Sequence, residues 1–69
     1  MISERQKEVL DFMYGQIQVF DRAPSLTEIA SEFEFSIPTA FKHLSKLEKK
    51  GYIKRTKGKW RSAEVLKVE

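Results

Sequence analysis

The chain contains no cysteine and a single histidine, His43. Neither a disulfide framework nor a thiolate metal site can form, and a histidine cluster is excluded. Its 69 residues give room for one small core, held by packing alone. No apolar run approaches the roughly 20 residues that cross a bilayer, and the opening MISERQKEVL lacks the apolar stretch of a secretory signal. The expectation is a soluble, cytoplasmic, nucleoid-associated protein with no membrane partner. With three glycines and two prolines there is no flexible linker, and no repeat or low-complexity tract is present. Residues 1–69 are therefore read as one domain. No nucleophile, base and orienting group occur together, so no enzyme activity, cofactor or metal is expected.

Acidic residues are scarce in one half of the chain. Residues 1–35 carry three basic and seven acidic residues, a balance of −4, whereas residues 36–69 carry ten and three, a balance of +7. The modest net charge of +3 hides a basic half. Such a half is the electrostatic footprint of a phosphate-binding surface.

What is present is a run of helix signals followed by a change of period. Ser3 and Gln6 have capping-box spacing and open a helix to about Phe20, with Val9, Met13, Ile17 and Phe20 facing inward and Leu10 and Phe12 widening the stripe. Pro24 disfavours helix at Ala23, and Ser25 with Glu28 forms a second capping box for a helix from about Leu26 to Phe33. Its inward face is Leu26, Ile29, Ala30 and Phe33. Glu34, Phe35 and Ser36 make a turn short enough for a helix-turn-helix. Ser36 then caps a third helix with Ala40, Leu44 and Leu47 inward, ended by Gly51. At about 100° per residue, Pro38, Lys42, Ser45, Lys46 and Lys49 gather at the opposite pole, where no acid falls. Beyond Gly51, Ile53 to about Lys57 and Ser62 to about Lys67 read as two strands with Gly58 at the tip. The fold class is mainly α with a small β-hairpin: a three-helix winged helix-turn-helix.

Several motifs occur in order: Arg5-Gln6 with Glu8-Val9-Leu10, Pro24-Ser25 with Glu28-Ile29-Ala30, His43-Leu44 with Leu47, Lys50-Gly51 and Ile53, then Gly58, Arg61 and Leu66. On these the chain resembles the N-terminal DNA-binding domain of LexA-type bacterial repressors over almost its whole length. The resemblance implies that the third helix reads the major groove of DNA and the wing tracks the minor groove. Carried over by position, Ser36, Pro38, Thr39, Phe41 and Lys42 would face base edges. Phe41 and Lys42 depart from relatives that place polar or acidic residues there, and Glu34 stands where glycine is common. The operator sequence is therefore not carried over. LexA-type repressors also have a self-cleaving C-terminal domain with a Ser/Lys dyad, which supplies their dimer interface and is missing here. The chain is either one domain of a longer protein or a small relative.

Site roles follow from chemistry. Lys42 is assigned to bases and Lys46 and Lys49 to phosphates. Ser36 caps and, with Thr39, offers hydrogen bonds to base or phosphate near a helix N-terminus. Phe41, on the boundary of the helix, either packs against the second helix or touches a thymine methyl, packing being favoured. His43 is expected to make a structural hydrogen bond rather than bind metal. In the wing, Lys57, Lys59 and Arg61 surround Trp60. Arg61 is the candidate for a narrow minor groove, and Trp60 is expected to cover the hairpin against helix 1 or 3. Lys54 and Arg55 point to alternate faces as phosphate candidates. The expected partner is double-stranded DNA, bound by a homodimer on a palindromic site. The competing reading is a winged-helix protein-interaction module using Phe12, Tyr14 and Val19.

Overall fold

Capping boxes start the first two helices where the serines place them. The computed structural model describes residues 2–56 and 58–68. Helix α1 spans Glu4–Phe20, α2 Leu26–Phe33 and α3 Ile37–Lys49. Ser3 Oγ accepts the Gln6 N–H at 3.1 Å while Gln6 Oε1 accepts the Ser3 N–H at 3.2 Å. Ser25 and Glu28 repeat the exchange at 3.1 and 2.8 Å. Two orphan donors are satisfied at each start.

The ends of α2 and α3 use one device. The Gly51 N–H bonds to Glu48 O at 3.1 Å and the Tyr52 N–H to Leu47 O at 3.0 Å, closing a Schellman motif around Gly51 at φ 84°. After α2 the Phe35 N–H reaches Ala30 O at 2.8 Å and the Glu34 N–H reaches Ser31 O at 3.4 Å. Glu34 therefore sits in the left-handed position, at φ 58°. Glycine fits that conformation without a Cβ penalty.

Strand β1 (Ile53–Arg55) pairs antiparallel with β2 (Ala63–Val65), with Ile53 opposite Val65 and Arg55 opposite Ala63. Both strands are shorter than expected. Trp60–Ser62 forms a 3-10 turn that takes Ser62 out of the expected second strand, held by Ser62 Oγ donating to Lys59 O at 2.6 Å. Burial of Trp60 pulls the chain inward and ends the ladder. Past β2, the Leu66 N–H still reaches Tyr52 O at 2.7 Å. Lys57 lies outside the described residues.

The core unites all the elements: Val9, Leu10 and Met13 of α1, Ile29 and Ala30 of α2, Ala40, Leu44 and Leu47 of α3, then Ile53, Trp60 and Ala63. One expectation for α1 needs correction, whereas Phe12 widens the buried stripe as expected. Phe20 is 57% exposed, because the last turn of α1 runs past the packed layer before the chain reverses at Asp21 (φ 60°). Phe12 is half-buried, its ring edge-on to Phe33 at 5.6 Å. Phe33 stacks on Phe35 at 5.4 Å, and Phe35 on His43 at 4.9 Å. This aromatic file ties α1, α2 and α3 together beside the main core.

Candidate nucleic-acid interface

Burying one stripe of α3 leaves its opposite pole in water. Ala40, Leu44 and Leu47 are wholly buried, while Ser36, Pro38, Thr39, Lys42, Lys46 and Lys49 are exposed and Ser45 is half-buried. None of Lys42, Lys46 and Lys49 is in an ion pair among the described residues. Lys46 and Lys49 lie in the last turn, where cations also oppose the helix dipole. At the other end Ser36 Oγ accepts the Thr39 N–H at 3.3 Å and donates to Thr39 Oγ1 at 3.0 Å. Ser36 is thus a cap, and the Thr39 hydroxyl keeps its own hydrogen for another acceptor.

Glu48 is the sole acid in α3, and Arg55 neutralises it. The Arg55 guanidinium donates to both Glu48 carboxylate oxygens, at 3.2 and 3.1 Å, and to Gly58 O at 3.1 Å. It also lies 3.9 Å from the centre of the Trp60 ring. This half-buried residue therefore locks the wing to α3, whereas its neighbour Lys54 is exposed, the alternation expected of a strand. Nothing in the local spacing announces a pair seven residues apart across a helix end and a turn.

Phe41 packs against Trp60 of the hairpin. Its ring meets Trp60 edge-on at 5.9 Å and 77°, and the residue stays 48% exposed. The hairpin folds over this flank of α3 through Trp60. Trp60, 7% exposed, covers the hairpin against α3 as expected. Ile37, four residues before Phe41, is 45% exposed and was assigned no role from the sequence.

Arg61 turns to α2. Its Nη2 donates to Glu28 Oε1 at 3.1 Å, the oxygen that also accepts the Ser25 N–H. The Ser25 backbone bond, with help from Arg61, holds the Glu28 carboxyl below its usual value. A minor groove would compete with Glu28 for the Arg61 guanidinium. At the tip, Lys59 is exposed beside Gly58 (φ 74°).

His43 was expected to make a structural hydrogen bond; its Nδ1 is buried with no partner among the described residues. The ring is held by stacking on Phe35 instead. Desolvation pushes its pKa down, and the nearby charges of Lys46, Arg5 and Lys42 push the same way. Among the described residues no group of acids and histidine could hold a metal ion, and no helix is long and apolar enough to cross a membrane.

This geometry, a capped basic helix with a hairpin locked along one flank, has its counterpart in known families. The profile of the LexA DNA binding domain matches residues 1–62. The chain belongs to this family. The LexA repressor of Halalkalibacterium halodurans is 42% identical over 69 residues, covering 99% of this chain and 33% of that repressor. The LexA repressor of Thermotoga petrophila is 44% identical over 66 residues, covering 96% and 34%. That of Petrotoga mobilis is 46% identical over 55 residues, covering 78% and 27%. The chain spans about a third of the length of the first two curated relatives. In this chain α3 meets solvent through Phe41 and Lys42, and the wing is held by Arg55 and Arg61 from two sides.

Proposed function

We propose that this chain binds double-stranded DNA sequence-specifically, as a single winged helix-turn-helix domain over residues 1–69, and represses transcription in the cytoplasm at the nucleoid. The observation that carries this reading is the unpaired lysine pole of α3, Lys42, Lys46 and Lys49, free of acid and opposite a fully buried stripe, in a chain of the LexA DNA-binding family. The lysines neutralise phosphates and release counterions, which makes affinity fall steeply with salt. Lys42, with Pro38, Thr39, Ser45 and the N-terminal turn at Ser36, meets base edges, while Lys46 and Lys49 contact the backbone. Lys59 extends the positive surface along the wing, and Arg61 serves the seating of the wing first. One module of this size covers a half-site, so two copies act together on a palindrome.

The test is selection of bound sites from randomised duplexes at near-physiological salt. Enrichment of a two-fold symmetric site is the expected result. A protein-interaction module is the second reading, since Tyr14 and Val19 are 45% and 74% exposed and a groove of about 420 Å³ runs past Tyr14, Ile17 and Val65. A folded protein that enriches no site and binds duplexes without salt dependence would favour it.

A further inference from the structure

We infer that the wing-side flank of α3 reads thymine methyl groups through Phe41 and Ile37, with Trp60 as the positioning residue; this rests on the DNA-binding reading above. Ile37 and Phe41 are 45% and 48% exposed on a helix that otherwise meets solvent through polar and charged side chains and one proline. Spaced i, i+4, they lie one above the other. At about 100° per residue they fall roughly 60° and 100° from Ala40, between the buried stripe and the lysine pole. They form an apolar ridge bordered by Pro38, Ser45 and Lys42.

The ridge is braced. Trp60 holds the Phe41 ring edge-on at 5.9 Å, Arg55 lies 3.9 Å from the Trp60 ring centre, and Glu48 holds Arg55 with two hydrogen bonds. Phe41 is therefore fixed from behind while half its surface remains in water. A ring already ordered gives up little conformational entropy on contact. In the major groove the apolar group on a base edge is the C5-methyl of thymine. Lysines beside the ridge, without an acid among them, favour a polyanion over a protein surface as the occupant. The phosphate contacts set the register, and the ridge then separates thymine from cytosine.

The experiment takes the half-site enriched from randomised duplexes and replaces each thymine in turn by deoxyuridine, which removes the methyl and keeps the hydrogen-bonding edge. At one or two positions the wild type is expected to bind about fourfold more weakly, the size of one buried methyl group. Phe41→Ala is expected to bind the thymine and uracil duplexes equally. Trp60→Leu is expected to lower the thymine/uracil ratio while leaving the slope of log K against log salt unchanged, a readout that a lost fold would move. A wild type indifferent to uracil at every position overturns the inference and leaves DNA binding standing. So does a Phe41→Ala protein that keeps the wild-type ratio, or a half-site without thymine. An unchanged ratio in Trp60→Leu removes Trp60 from the account. If no site is enriched at all, the DNA-binding reading fails and this inference fails with it.

Discussion

Glu34 and His43 show how single residues carry strain that periodicity does not reveal. Glu34 occupies a left-handed conformation at φ 58° with no glycine to relieve it. Glu34→Gly is expected to stabilise the protein by up to about 1 kcal/mol, because the Cβ penalty outweighs the added freedom of the unfolded chain. In a domain of this size that raises Tm by roughly 4–8 °C, read by thermal unfolding. An unchanged or lower Tm would mean that the Glu34 side chain itself holds the turn. His43 is desolvated and its folded pKa lies below the ordinary 6.5. The unfolded chain then binds the proton more readily, so stability is complete above about pH 6.5 and falls as pH drops towards the folded value. The urea midpoint of the wild type is expected to be lower at about pH 5.5 than at about pH 7.5, and His43→Phe is expected to lose most of that difference. Equal midpoints in the wild type would contradict it. Glu28, lowered from 4.5, contributes only further down, as pH falls below that value.

At the scale of elements, the helices were legible because their signals are local. Ser3 with Gln6 and Ser25 with Glu28 cap within one turn, and Ala40, Leu44 and Leu47 repeat with the helix period. The wing was legible only in outline. Its strands are cut to three residues each because Trp60 turns into the core, and the Arg55–Glu48 pair that seats it joins positions with no periodic relation. The side chains are only 26% and 32% exposed, so the pair is less screened than a surface ion pair. Arg55→Ala removes these bonds and the contact with Trp60, and is expected to cost about 1–3 kcal/mol. The check is Tm together with Trp60 fluorescence, which should shift as the ring gains water. A Tm within a degree of wild type would show that the hairpin seats itself without the clamp. Arg61, the candidate for the minor groove, is engaged with Glu28 on α2 in the free protein. Arg61→Ala is accordingly expected to weaken A·T-rich and G·C-rich flanks alike. A loss confined to A·T-rich flanks would show that Arg61 leaves Glu28 for the groove.

For the whole molecule, the charge balance of −4 and +7 becomes a surface only when the fold gathers it. Lys42, Lys46 and Lys49 share one face because α3 buries the other, and Arg55 removes the single acid of that helix from the field. Lys49→Ala is expected to weaken all duplexes alike and to reduce the salt slope by about one, whereas Lys42→Ala is expected to change base preference at one position. Binding measured at several salt concentrations on the selected site and on a scrambled duplex separates the two. Equal losses from both variants on every sequence would sink the division between base and phosphate contacts.

The sequence by itself determined the three helices, their caps, the buried stripe of α3 and the basic pole opposite it, because capping and helical period act within a few residues. Tertiary structure alone decided which flank the hairpin covers, that Phe41 meets Trp60, that Phe20 is left outside the core, and that Arg55 and Arg61 hold acids of α3 and α2. Those outcomes depend on contacts between residues far apart in the chain or on different elements. Their geometry exists only once the core has closed and set the elements side by side.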